Sequence, residues 1–159
     1  MGKKTGPNPT DRAKSGTKRS LLTDGDGVPL ALAVAGANVH DMRLVAPTLR
    51  GFALKRPRPK RGGRLQHFCG DKGYDYAEVR ALLDRRGYTL HIAVRGDAAP
   101  VCRSHPRYRA RRWVVERSHS WMNRFRRLLI RWEKKAAHYE AFLHFACALI
   151  TFRAAGVFG

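Results

Sequence analysis

The chain has 159 residues and a formal charge of +20, from 32 Lys and Arg against 12 Asp and Glu. That length fits one domain, 43% hydrophobic content supports a real core, and a pI near 11.2 points to a polyanionic partner, nucleic acid ahead of a membrane surface. Three lone cysteines (Cys69, Cys102, Cys147) exclude a disulfide framework and a cysteine zinc site, and no apolar run reaches the roughly 18 residues of a membrane span.

In chain order, residues 1–19 (MGKKTGPNPTDRAKSGTKR) are basic, Gly/Pro-rich and without apolar periodicity, so they read as a flexible arm ahead of a domain over 20–155. LLTDGDGVPLALAVAG predicts a hairpin: a strand over 18–23, the turn DGDG at 24–27, and a second strand over 28–35 that is apolar on both faces. HDMRLVAPTLRGF predicts a short helix capped near Asp41 and closed by Gly51. The run KRPRPKRGGR (55–64) reads as a loop, either solvated or contacting phosphate. A strand over 65–69 ends at Gly70-Asp71, and DYAE (75–78) has the spacing of a capping box. The helix it opens turns Val79, Leu82 and Leu83 inward and stops at Gly87. A strand over 89–94, a loop over 95–106 and two helices follow, the last apolar almost all round from His138 to about Arg153. The order β-β-α-β-α-β-α-α implies an α/β fold, a mixed sheet with helices on its faces.

Two acids stand out. In RRWVVERSHSWMNRFRRL, about 100° per residue places Val114, Ser118, Trp121, Phe125 and Leu128 on one side. Arg112, Glu116, His119, Asn123 and Arg127 form the opposite stripe, one acid among cations. A solvated face accounts for such a stripe, but so does a carboxylate that ligates a metal while Arg and Asn contact phosphates. Glu116-x-x-His119 as a transition-metal pair lacks a second His or carboxylate at matching spacing. Asp71 ends a strand, where α/β folds present catalytic groups; a capping role suits Asp75 better. Tyr74 beside Gly73 reads as a neighbour of that site or as core.

These residues resemble bacterial insertion-sequence DDE transposases of the IS-four/IS-five-like group. The segments that carry the likeness are TGPNPTDRAKSGTKRSLL, VPLALAVAGANVHD, DKGYD, RWVVERSHSWMNRFRRL and HYEAFLHFACALITFR, in that order. The resemblance implies an RNase H-like catalytic domain, with Asp71 and Glu116 as catalytic residues holding two Mg²⁺ (or Mn²⁺) ions for DNA strand cleavage and strand transfer. It implies DNA as partner, with Lys18, Arg19, Arg112, His119, Asn123, Arg124 and Arg127 as contacts. Arg112 matches the Arg upstream of the family's glutamate, Tyr108 is displaced by one residue from its Tyr, and Asn123 stands where the family has Lys.

The family's first catalytic aspartate lies on a strand preceding TGPNPTDR, and no acid precedes Asp11. Asp11 falls in the arm, Asp24 and Asp26 in the hairpin turn, and Asp41 at a helix cap. The expectation is a partial RNase H-like fold lacking the first strand: a downstream-frame or N-terminally truncated product completed by an upstream-frame partner, with a homo-oligomer as a further possibility. The alternatives are a non-enzymatic DNA-binding regulator of the intact transposase, and a basic ribosomal-type protein, which leaves DKGYD and the Glu116 stripe unexplained. A cytoplasmic, nucleoid-associated location is expected.

Overall fold

The computed structural model describes residues 4–56, 66–94 and 112–157. The chain forms two compact units, Met1–Phe52 with Trp113–Gly159, and Ala53–Arg112.

In the first unit, β2 (Ser15–Thr23) and β3 (Pro29–Gly36) make the expected antiparallel hairpin, and the two-residue β1 (Gly6–Pro7) pairs with Ser15 and Gly16. Asp24 builds the turn, its carboxylate accepting from the backbone of Asp26 at 2.9 Å and Val28 at 2.8 Å. Alternation along β3 explains its composition. Leu32 and Val34 join the core, while Ala31, Ala33 and Ala35 pair with Leu22, Ser20 and Lys18 on the opposite face. Small side chains there let α1 (Met42–Arg50) approach, and Thr48 of α1 is bonded to Ser20 at 2.8 Å. On the core face lie α3 (Arg112–Asn123), the four-residue α4 (Arg126–Leu129) and α5 (Ala136–Ala154), which bury Met122, Leu128, Tyr139, Leu143, Ala146 and Ile150 around Val34. Only one stripe of α5 is buried, through Tyr139, Leu143, Ala146 and Ile150, where an apolar face all round predicts burial of the whole helix. The other exposes Phe142, Phe145 and Phe152.

The stretch read as an arm carries structure from Lys4 onward. Beyond β1, Arg131 Nη1 donates to Thr17 Oγ1 at 2.7 Å and to the Lys4 carbonyl at 3.3 Å, and Lys4 pairs with Glu140 at 2.7 Å. The sequence of the segment lacks apolar periodicity because polar bonds hold it.

In the second unit, β4 (Gln66–Gly70) and β5 (Tyr88–Ile92) pair in parallel, joined through α2 (Ala77–Arg85), whose Val79 and Leu83 are buried with Ile92. Gly87, at φ +71°, ends α2 in the left-handed conformation that glycine takes without strain. The α/β class is as expected: antiparallel and parallel pairings with helices on their faces, here divided between two sheets. Most of the 55–64 loop and the whole of the 95–106 loop lie outside the described residues. Among those described, no helix is long and apolar enough to cross a membrane.

Candidate active site

Glu116 lies on α3, and the position of α3 is fixed by its neighbours in sequence. Ser118, fully buried, donates to the Gly27 carbonyl at 2.6 Å, with Val114 O a second acceptor at 3.1 Å. Gly27 has φ +84°, and a Cβ there would lie 3.0 Å from Ser118 Oγ, so turn and helix fit only with glycine between them. Arg117 lies between Trp113 and Trp121, 4.8 and 4.9 Å from their ring centroids, and donates to the Asp26 carbonyl. Farther along, Asn123 Oδ1 accepts from Arg19 Nη2 at 2.9 Å. The helix is thereby tied to the hairpin at its middle and at its C-terminal end.

The outward face leaves Glu116 exposed, with no ion pair or hydrogen bond to any described residue. Several other acids of this unit are engaged, Asp11 with Lys14 at 3.7 Å, Asp41 with Lys18 at 3.1 Å and Glu133 with Arg127 at 2.7 Å, whereas Asp26 is exposed like Glu116 and forms no ion pair with a described residue. On α3 itself Glu116 is the one acid among cations. His119, one turn on, is half-buried. Burial and then the charge of Arg19 lower its pKa below the ordinary 6.5, so it is uncharged at neutral pH.

Asp71 follows β4 and is exposed. Its Oδ1 accepts from Gly73 N at 2.8 Å, opening a 3-10 turn over Lys72–Tyr74. Half-buried Tyr74 packs beside Gly70, where an added Cβ would meet its ring at 3.4 Å. Asp71 therefore has a capping role of its own. Asp75 lies one residue ahead of the helix boundary at Tyr76, and its carboxylate pairs with Arg80 of α2 at 2.7 Å. Asp71 and Glu116 belong to different units.

Residues 2–151 match the family model described as the transposase DDE domain. The transposase assigned to insertion sequence element IS402 of Burkholderia cepacia is 42% identical over 156 residues, which cover 92% of this chain and 68% of that protein. The chain belongs to the insertion-sequence DDE transposases. No solved structure matches it. Members of this family act in DNA transposition with divalent metal ions, so DNA is the partner of the transposase.

Among the described residues no three His, Cys, Asp or Glu side chains converge as a metal site. Asp71 and Glu116 are both exposed oxygen donors of the kind a hard divalent cation takes, and Glu116 has no ion pair with a described residue. The expected DNA contacts fall into separate situations. Arg124 is exposed. Lys18 is held by Asp41 and by the Val39 carbonyl at 3.1 Å, and Arg19 with Asn123 forms an internal bond. Arg127 leaves the Glu116 stripe because α3 ends at Asn123 and Phe125 is extended, at φ −80° and ψ 98°. The side chain of Arg112 lies outside the described set.

The residues that sequence reasoning missed are Ser118, Arg117 and Gly27, which orient the helix. A lone serine on an otherwise apolar helical face was their signal.

Proposed function

We propose that this transposase chain supplies Asp71 and Glu116 to a divalent-metal site for DNA strand cleavage and strand transfer, and that a third carboxylate comes from an upstream-frame product. The carrying observation is Glu116: an exposed, unengaged carboxylate on a helix locked to the hairpin at Gly27 and Arg19. Mg²⁺ or Mn²⁺ held by such carboxylates stabilises charge on the attacking and leaving oxygens of phosphoryl transfer. The chain's own contribution is to hold Glu116 rigidly and to neutralise phosphates with exposed cations such as Arg124 and Arg126.

Two features support a supplied carboxylate. Asp24 is bound up in its turn, and Asp41 and Asp11 face lysines, which leaves the exposed Asp26 as the in-chain alternative that cleavage by the chain alone would reveal. Beyond Gly16, the outer side of β2 makes no strand pairing with described residues, so residues 17–23 offer an edge for a further strand.

The test is Mg²⁺-dependent cleavage of element-end DNA by the chain alone and with the upstream segment. Cutting is expected only from the combination, and Glu116→Gln should abolish it while DNA affinity stays within about twofold. Robust cutting by the chain alone would refute the supplied carboxylate. Binding without cutting in every combination points to a non-enzymatic regulator.

A further inference from the structure

Helix α5 has two apolar faces, and the first unit covers one of them. Tyr139, Leu143, Ala146 and Ile150 are buried in the core. At about 100° per residue the opposite side carries Ala141, Phe145, Ala148, Phe152 and Ala155, all exposed. Phe145 is 64% and Phe152 49% exposed, with Phe142 on the flank at 39%. The three rings leave roughly 300 Å² of apolar surface in water, the size of the largest such patch on an ordinary monomer. No Lys, Arg, Asp or Glu lies between Glu140 and Arg153, in a chain that is 28% charged. A solvated helix face is polar, so a face this apolar is one that packs.

The spacing says what packs on it. Ala141, Ala148 and Ala155 recur every seven residues, and so do Phe145 and Phe152. A heptad repeat keeps one line of residues against a partner helix along its length. The alanine line lets two helix backbones come close, and the phenylalanine line beside it fills the groove between them. We infer that the occupant is α5 of a second copy of this chain, in an antiparallel pair with its two-fold axis near Ala148. That axis sets Phe145 of each copy beside the partner's Phe152, while alanines face alanines. A parallel pair sets Arg153 against the partner's Arg153 and Lys135 against the partner's Lys135. The antiparallel pair separates these cations and opposes the two helix dipoles.

Charge favours a second copy over the other occupants. Two chains of +20 repel wherever cations meet, and this stripe joins them without bringing any together. DNA fits poorly, because the stripe offers no cation to a phosphate. A strand added at the β2 edge lies elsewhere, since α5 turns its buried stripe to Val34 of the hairpin and this face away from it. Size sets the affinity. The 19 residues of α5 span about 28 Å. Pairing two such faces buries on the order of 1,000 Å² in total, the lower limit of a specific interface, so the pair forms in the micromolar range. The inference draws on neither the metal site nor the supplied carboxylate.

The experiment is sedimentation velocity of the full chain, freed of nucleic acid and in EDTA, from about 1 to 100 μM protein and about 0.15 to 1 M NaCl. Monomer should give way to dimer as concentration rises, and salt should strengthen the dimer by screening the repulsion between the chains. Phe145→Ala together with Phe152→Ala should weaken it roughly tenfold or more. Both rings are exposed, so the fold survives their loss, which circular dichroism checks. Leu54→Ala, at 63% exposure in the other unit, should leave the dimer unchanged. On oxidation Ala148→Cys should crosslink to itself beyond the level of the unaltered chain and Ala155→Cys should not, because only position 148 lies at the axis. A monomer at every concentration and salt overturns the inference, as does association that salt dissolves or that Leu54→Ala weakens equally. Crosslinking at Ala155 overturns the antiparallel arrangement. If the upstream segment instead binds the chain one to one, in place of the dimer, and the double phenylalanine substitution abolishes that complex, the face belongs to that segment. Cleavage is read separately with metal and DNA, so failure of this inference and failure of the proposed function are distinguishable.

Discussion

A serine with no exposed surface positions the helix that carries Glu116. Ser118 takes up the carbonyl of Gly27, and Arg117 takes that of Asp26, so α3 docks on the turn through two adjacent backbone oxygens. Glu116 precedes both and faces away from the core. One turn on, His119 contributes a pH dependence whose sign follows from its environment. Its folded pKa lies below the ordinary 6.5, so the unfolded chain takes up the proton first as pH falls. The stability from an uncharged His119 is therefore present above about pH 6.5 and is lost as pH drops towards the folded value. His119→Gln should shrink the difference in urea-unfolding stability between neutral and mildly acid pH. An unchanged difference would mean that the imidazole does not experience this burial.

At the scale of elements, one polar contact joins β2 to the end of α3: the side-chain carbonyl of Asn123 faces the guanidinium of Arg19 at 2.9 Å. Arg19 Nη1 is already buried without a partner, so the contact has no spare acceptor. Asn123→Ala should destabilise the fold by about 2 kcal/mol, the scale of a hydrogen bond to a charged group. Asn123→Lys should cost more, because it sets two cations together. Urea midpoints measure both, and a lysine variant as stable as the unaltered chain would show that Arg19 has another place to go. Elements bounded by local chemistry were legible in the sequence: the hairpin from DGDG, α1 from its close at Gly51, α2 from its stop at Gly87, and α5 from its continuous apolar character. The errors came from what lies beyond the local pattern. Arg131 organised residues 4–17 from far along the chain, and a break after Asn123 moved Arg127 off the stripe. Glu116 and Asp71 were legible as isolated acids. The pinning of α3 by Ser118 was not, because a turn carbonyl leaves no trace in composition.

At the scale of the whole molecule, charge is distributed unequally between structure and surface. Acids of the first unit are largely spent on local pairs, with Asp11, Asp41, Glu133 and Glu140 each facing a cation. Arg12, Arg43, Arg50, Arg124, Arg126 and Lys135 are exposed and form no ion pair with a described acid. Cations of this kind bind DNA through counterion release, which depends on salt and not on base sequence. If about six of them reach phosphates, affinity for duplex DNA should fall roughly a thousandfold between about 50 and 200 mM salt. Titration of a labelled duplex at several salt concentrations gives the slope directly, and replacing Arg124 and Arg126 by Gln together should lower its magnitude by about two. A flat response would mean that the +20 charge is not what holds DNA. A steep response that the double substitution leaves unchanged would keep the electrostatic mechanism but move the interface off the α3–α4 junction. Because Glu116 is the one acid of this helix, Glu116→Gln should leave the slope nearly unaltered, and on the proposed metal role it should remove cleavage in the presence of the upstream segment, so the two readouts separate metal binding from phosphate binding.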